Sequence, residues 1–203
     1  PAFSGTSLAA AQYVRRVKIN VYLLLVMGIV AFCAAFLGST LLTMVSNRFM
    51  KPVLLIVLSA VAVYTYRKKN FGQHQQKLHT PRRQLMLGIL LSVVIGFYDG
   101  FIGPGTGSFL VLGFIAILGF DFLHASAYAK MVNLSTNFGS IVLFTLKGKI
   151  IWTIALPMAA SNALGGFLGS RMALTKGNGF IRKFFLVVVT GTLLRFAWDI
   201  FRP

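Results

Sequence analysis

The sequence has almost no acidic side chains, since its 203 residues include three Asp (Asp99, Asp121 and Asp199), no Glu, and 20 Lys or Arg. Charged residues make up 11% of the chain, whereas a soluble domain usually carries about 25%. With 57% hydrophobic residues and a mean hydropathy of +0.79, too few polar side chains remain to cover a water-soluble surface. This composition excludes most soluble folds and indicates that the chain is surrounded largely by lipid.

The net charge of +17 raises the question of nucleic-acid binding, which depends on where the positive charges lie. A nucleic-acid surface places Lys and Arg on polar elements and interleaves aromatic side chains for stacking. Here the basic residues fall in the gaps between apolar runs, at 15–18, 48–51, 67–83, 147–149 and 176–183. The sequence therefore predicts membrane lipids and no nucleic acid as partners, because such loop charges favour anionic headgroups.

Long runs without any charge dominate the chain. Three of them cover residues 19–47, 100–120 and 150–170, and about 20 apolar residues suffice for a helix to span a bilayer. Shorter charge-free runs at 52–66, 84–98, 131–146 and 184–194 predict further short, tilted or broken membrane helices. The fold class predicted is an all-α, multi-pass membrane helix bundle, built from two internal repeats with broken or re-entrant helices.

Residue patterns typical of metal or cofactor sites are scarce in the sequence. The polar stretch 67–83 carries basic residues without an acid, and the positive-inside rule places it in the cytoplasm. His74 and His79 lie in it without Cys or carboxylate neighbours, which is typical of solvated loop residues rather than metal ligands. The sole cysteine, Cys33, can form no disulfide within the chain. The sequence predicts no metal site and no cofactor.

Catalytic motifs are missing as well. The chain has no Glu, no His-Glu-x-x-His, no Gly-x-Ser-x-Gly and no P-loop, and His124 is accompanied only by Asp121. A hydrolase needs a nucleophile and a base in a workable arrangement. We therefore predict no catalytic residues and a protein that is not an enzyme.

An internal repeat accounts for much of the sequence. A shift of 131 positions aligns two stretches without a gap, including the tetrapeptide Phe-Leu-Gly-Ser at 36–39 and 167–170, Lys18 on Lys149, Met27 on Met158 and Asn47 on Asn178. This predicts a partial first transmembrane repeat at 1–66, a basic cytoplasmic loop at 67–83 and a second repeat at 84–203. The second copy extends further back than the first, so we expect a fragment of a protein of roughly 250 residues, with a site between its halves. Whether the copies are parallel or inverted stays open.

The stretch from Gly96 to Ser108 contains five glycines and one proline. In a helix each Gly costs about 1 kcal/mol and Pro about 3 kcal/mol relative to Ala, so the helix must break there. Unpaired backbone is tolerated at membrane depth only where protein or a water-filled cavity satisfies it. We expect two half-helices to meet at the glycines and to line a site.

The second half-helix should begin near Thr106 to Ser108. Free N–H groups and the positive end of the helix dipole, with Gly permitting close approach and hydroxyls adding donors, are typical of an anion-binding site. The alternative is that glycines only allow close helix packing, which accounts well for Gly165, Gly166 and Gly169. The predicted substrate-binding residues in this stretch are Gly103, Pro104, Gly105, Thr106, Gly107 and Ser108.

Asp99 sits at the break, and an ionisable group in a membrane is a functional candidate by default. We assign it to coupling or gating, with Lys130, Arg171 and Arg195 as candidate partners, although both arginines also fit a role as snorkelling side chains. Structural roles for Asp99 and Lys130 stay open too. Lys130 opens a polar stretch that completes the predicted substrate site with Asn133, Ser135, Thr136 and Asn137.

These residues resemble a known family. The sequence around Asp99 (residues 96–109), the stretch from Ala129 to Ser140, Lys147-Gly-Lys149 and Gly165 to Arg171 are similar to the second half of the TauE/SafE permeases, exporters of sulfite and organosulfur anions. The resemblance implies a bacterial inner-membrane protein of about eight membrane segments that exports small anions such as sulfite or sulfonates. The chain departs from the family pattern in lacking the glycine-rich stretch that opens the first copy.

Two other functions stay open at this stage. One is a non-transporting membrane scaffold or partner subunit in which the glycines serve helix packing alone, and the other is a passive anion channel. The sequence leaves the identity of the small anion substrate, the direction of transport, the coupling ion and homo-oligomer formation undecided.

Overall fold

The computed structural model describes residues 1–44, 80–103 and 105–201. Within these residues every regular element is a helix and no strand occurs, which confirms the predicted all-α class. The predicted segment at 52–66, residues 67–79 of the basic loop and Pro104 lie outside the described residues. The helices are α1 (Ala2–Val14), α2 (Val21–Leu42), α3 (Pro81–Phe101), α4 (Thr106–Ala116), α5 (Phe122–Leu146) and α6 (Trp152–Phe201).

Local polar signals set where the long helices begin. The Asn20 side chain accepts a hydrogen bond from the Leu23 N–H at 3.1 Å, and Asp121 Oδ1 accepts one from the His124 N–H at 2.8 Å. These are N-caps, which satisfy amides that have no partner within the helix. α3 begins at Pro81, a first helical position where a missing N–H costs nothing.

The apolar surface of α2 faces outward as well as inward. Leu25, Ile29 and Leu37 are 59%, 65% and 63% exposed, although the opposite face is buried. A helix that is hydrophobic all round is typical of a membrane segment when its outer face is not covered by protein. α2 and α3 are the two described helices that are long and apolar enough to cross a bilayer.

α2, α3 and α5 run in the same direction. Small residues bring their backbones close, as is usual for helices packed in membranes. The contacting pairs rise together along each helix, as Gly88 with Met27 and Gly96 with Ala31 between α3 and α2, then Ser135 with Gly28 and Lys147 with Thr43 between α5 and α2.

α1 runs antiparallel to α5 and parallel to the first part of α6. Between α1 and α5 the contacts pair Thr6 with Asn137 and Tyr13 with Ser126. Between α1 and α6 they pair Ser4 with Ala159 and Gln12 with Phe167. The first part of α6 is therefore antiparallel to α2, α3 and α5.

α3 and α4 form a re-entrant hairpin, so the predicted broken helix is confirmed. The chain turns at Gly103 and Gly105, whose φ angles of 86° and 88° favour glycine. The Tyr98 and Phe109 rings then meet with their centroids 5.0 Å apart, because α4 folds back along α3.

The expectation of a complete span over residues 100–120 is wrong. α4 has 11 residues, or about 16 Å at 1.5 Å per residue, which is half of what a bilayer requires. The absence of charge in this run reflects its burial against α3 and α5, and the glycine turn prevents it from forming one helix.

α6 bends sharply at Gly177, where φ is 69° and ψ is −166°. The predicted membrane run at 150–170 lies in the part before this bend. After the bend, Asn178 Oδ1 accepts a hydrogen bond from the Leu123 N–H at 2.7 Å, and the Phe185 ring lies 6.0 Å from that of Phe122. The second part of α6 thereby packs beside the start of α5.

Candidate functional site

A cavity of about 530 Å³ lies between α1, α4, α5 and α6. The second part of α6 supplies one apolar wall, through Phe184, Phe185 and Val188. Polar groups from α1, α4, α5 and α6 also line the cavity, and none of the described lining residues is acidic. The polar side chains lining the cavity are Thr6, Tyr13, Ser108, Ser126, Lys130, Asn133, Asn162 and Ser170.

Several donors in the cavity are not used within the protein. Over residues 1–44, 80–103 and 105–201, the Lys130 ammonium, the Ser108 hydroxyl and the Asn162 amide have no hydrogen-bond partner. The side-chain oxygen of Asn133 accepts from Asn137 Nδ2 at 2.6 Å, which leaves the Asn133 amide N–H groups directed elsewhere. A partly buried cation surrounded by uncommitted neutral donors is suited to an anion.

The N-terminus of α4 meets the same cavity. The N–H groups of Thr106 and Ser108 donate to the carbonyl oxygens of Gly103 and Gly105 at 3.3 Å and 2.8 Å. The Gly107 N–H has no partner in the part of the chain that the structure describes. Nothing lies within 4 Å of a Cβ placed on Gly107, so a ligand can approach its backbone directly.

Asp99 lies outside the cavity lining. Its carboxylate accepts a hydrogen bond from the fully buried Thr136 hydroxyl. The Thr106 hydroxyl, which is 2.6 Å from the Gly103 carbonyl oxygen, also lies within hydrogen-bonding range of the carboxylate. Asp99 therefore links the hairpin tip to the middle of α5, and it forms no ion pair with Lys130.

The other predicted site residues divide according to their surroundings. Gly103 and Gly105 form the hairpin turn, while Asn137 donates to both Asn133 and Thr6. Ser135 lines a different, apolar groove and donates to the Met131 carbonyl oxygen of its own helix. Of the predicted substrate residues, the cavity collects Gly107, Ser108, Lys130 and Asn133.

The sequence matches the family described as sulfite exporter TauE/SafE over residues 1–196. This chain belongs to the TauE/SafE family. A "Probable membrane transporter protein ORF9" of Sinorhizobium sp is 35% identical over 199 residues, which is 98% of this chain and 76% of that protein. A "Probable membrane transporter protein" of Haemophilus influenzae is 33% identical over 198 residues, covering 98% and 77%.

A further TauE/SafE relative is the "Probable membrane transporter protein YfcA" of Escherichia coli (strain K12), which is 30% identical over 202 residues, covering 98% of this chain and 73% of that protein. No solved structure matches the chain. The family resemblance read from the glycine-rich stretch is confirmed, and the chain is a membrane protein of a transporter family.

Sequence reasoning missed several residues that line the cavity of this TauE/SafE protein, chiefly Thr6, Asn162 and Ser170. Asn162 is one of few polar residues in the charge-free run at 150–170, and this isolation is a signal that would have found it. Ser170 closes the repeated Phe-Leu-Gly-Ser tetrapeptide. Arg171 and Arg195, candidate partners of Asp99, are both exposed.

Proposed function

We propose that the chain is the core of a secondary transporter that exports small anions, in particular sulfite, sulfonates or other organosulfur anions, across the bacterial inner membrane. The observation that carries this proposal is the cavity in which Lys130, Asn133 and Ser108 offer donors and the described lining residues include no carboxylate. Membership of the TauE/SafE family supports the sulfur-containing substrate class.

The chemistry of the cavity favours an oxyanion. A sulfite or sulfonate group has three oxygens that accept hydrogen bonds, and it can bind the Lys130 ammonium, the Gly107 amide and neutral side-chain donors together. The helix dipole of α4 adds a partial positive charge at its N-terminus. Asn137 fixes the Asn133 side chain by donating to its oxygen, so that the Asn133 N–H groups are left for the ligand.

In this proposal an inverted repeat lets the two halves move against each other, so that the site opens to one side of the membrane at a time. Thr6 and Asn137, which contact each other, are 131 residues apart, the same spacing that aligns the two copies. The contact of Ser4 with Ala159 has its equivalent in that of Ser135 with Gly28. Contacts between equivalent residues on antiparallel helices support a pseudo-two-fold axis in the membrane plane, as in other transporters.

Asp99 serves coupling or gating in this proposal. It is the acidic residue at the hairpin tip, held by Thr136 of α5, one helical turn from Asn133. Binding of a proton or cation there changes the charge between the hairpin and α5. Because the same two elements line the cavity, this change affects the substrate site without direct contact with the anion.

Thermal stability of the purified protein with a panel of anions tests the substrate class. A ligand at 100 times its dissociation constant stabilises the folded state by about 2.7 kcal/mol. Sulfite, thiosulfate or sulfoacetate should raise the melting temperature at matched ionic strength, and chloride should not. An unchanged melting temperature with every anion would favour a scaffold that does not transport. In a separate flux assay, an anion that never accumulates against its gradient would favour a channel.

A further inference from the structure

A second cavity opens on the outer surface between α1, α2 and α5, away from the anion cavity. Its volume is about 690 Å³. We call it the outer groove, and it is lined by Ser7, Ala10, Ala11, Val14, Leu24, Leu25, Gly28, Ile29, Phe32, Met131, Leu134, Ser135 and Phe138.

The outer groove offers hydrocarbon contacts only. Its two hydroxyl groups are already used within their own helices, since Ser7 Oγ donates to the Phe3 carbonyl oxygen at 2.7 Å and Ser135 Oγ to that of Met131 at 3.3 Å. Every other lining residue that the structure describes is apolar. A polar solute gains nothing here, whereas an alkyl chain buries apolar surface at about 25 cal/mol per Å².

The length of the outer groove matches one acyl chain of one leaflet. Along α2 the groove extends from Leu24 to Phe32, about 12 Å at 1.5 Å per residue, and the hydrocarbon of one leaflet is about 15 Å thick. Two aromatic rings that line the groove lie at its other end, where the ring centroids of Phe32 and Phe138 are 5.7 Å apart.

A cluster of positive charges lies at the open end. Val14 lines the groove as the last residue of α1, and Arg15, Arg16 and Lys18 follow in the exposed turn that leads to α2. None of these three forms an ion pair with a residue that the structure describes. Arg82, in the first turn of α3, lies at the same end of the molecule, because α2 and α3 are parallel. The positive-inside rule therefore makes this end cytoplasmic.

We propose that the outer groove is a binding site for an anionic phospholipid of the cytoplasmic leaflet. One acyl chain lies in the groove against Ile29 and Phe138, and the headgroup phosphate binds Arg15, Arg16 and Lys18. Charge complementarity at the mouth selects the anionic lipid, while the apolar walls bind the chain. The site is separate from the anion cavity and independent of the substrate that is transported.

Native mass spectrometry of the full chain, with equal amounts of phosphatidylglycerol and phosphatidylcholine of the same acyl chains, tests this site. The wild type should retain phosphatidylglycerol at least about fivefold better, corresponding to about 1 kcal/mol. The preference should disappear in the triple variant Arg15→Gln, Arg16→Gln, Lys18→Gln. Ala11→Phe, which fills the groove, should reduce the retention of both lipids.

Matched controls are Arg82→Gln with Arg83→Gln, which remove charge at the same end, and Leu37→Phe on the exposed face of α2. Both should keep the lipid preference. Equal retention of the two lipids by the wild type would overturn the proposal. Unchanged lipid retention in Ala11→Phe would also overturn it, as would displacement of the lipid by inorganic phosphate. Either result would show that the headgroup binds while the groove does not hold an acyl chain.

Discussion

At the scale of single residues, the anion site depends on the backbone as well as on the Lys130 charge. Gly107 lines the cavity in the first turn of α4, two residues after the left-handed turn at Gly105. No atom lies within 4 Å of the position of its absent Cβ. A ligand can therefore approach this part of the backbone without displacing a protein atom.

Substitution Gly107→Ala should weaken anion binding without harming the fold. The methyl group meets no protein atom, and Ala favours a helix over Gly by about 0.5–1 kcal/mol, but the methyl takes up space beside the backbone that lines the cavity. We expect a loss of anion affinity of about tenfold, or about 1.4 kcal/mol, measured by titration calorimetry. Gly179→Ala, at an exposed glycine with equally open surroundings, is the control, and an unchanged affinity in Gly107→Ala would contradict close contact of the anion with Gly107.

Substitution Asp99→Asn should separate binding from coupling. The amide oxygen still accepts from Thr136, so the fold and the anion affinity should persist, whereas the titratable charge is lost. In proteoliposomes we expect anion exchange to continue and gradient-driven uptake to fall at least about tenfold, a change of about 1.4 kcal/mol. Asp121→Asn, at the cap of α5, should retain both. A parallel loss of exchange and uptake would contradict the coupling role.

The sequence identified those site residues that lie within one helical break or one polar stretch. Lys130, Asn133, Gly107 and Ser108 are such residues, because charge and glycine content mark them locally. Thr6 and Asn162 belong to distant elements that reach the cavity only through packing of α1 and α6 on α5. The isolated position of Asn162 in an apolar run marks it as a candidate, but a single sequence does not show that it reaches the same cavity as Lys130.

At the scale of elements, the sequence predicted the helix break of the α3–α4 hairpin but did not decide between a kink and a reversal. The cost of Gly and Pro in a helix indicated the break, but not the direction in which the chain leaves it. A left-handed glycine permits both a kinked continuation and a reversal. The reversal is decided by contacts, as in the packing of Tyr98 on Phe109, and these lie beyond a count of charge-free residues.

Close packing of the hairpin on α2 should make Gly100→Ala strongly destabilising. The added Cβ would meet the backbone of Ala35, which cannot move without shifting α2. Overpacking of this kind costs about 1–3 kcal/mol, more than Ala gains in helix propensity. Thermal unfolding in detergent should show a lower melting temperature for Gly100→Ala than for the wild type, and an unchanged melting temperature for Gly179→Ala. Equal melting temperatures would contradict this packing.

At the scale of the whole molecule, the helix directions place the basic ends on two sides. Arg16 and Arg82 lie at the end where α2 and α3 begin, while Lys147 and Lys149 follow α5 at the opposite end. From sequence alone the two repeat loops, 15–18 and 147–149, are both basic, so the charge rule could not choose between parallel and inverted copies. The antiparallel contacts of α1 with α5 favour the inverted arrangement.

Cysteine labelling tests this arrangement in cells. In a Cys33→Ser background, a membrane-impermeant maleimide should label Lys149→Cys in intact cells and leave Arg16→Cys unlabelled. Permeabilised cells should label both, which controls for accessibility. Labelling of both positions from outside intact cells would show that the two loops share one side, and inverted copies would then be excluded.

The most direct measurement of the central claim is uphill flux of radiolabelled sulfite into proteoliposomes that contain the protein. The account predicts accumulation above the external concentration when an ion gradient is imposed. It also predicts a fall of at least about tenfold, or about 1.4 kcal/mol, in Lys130→Met, with Lys147→Met unaffected. Accumulation that is the same in Lys130→Met as in the wild type, or sulfite that only equilibrates, would contradict it.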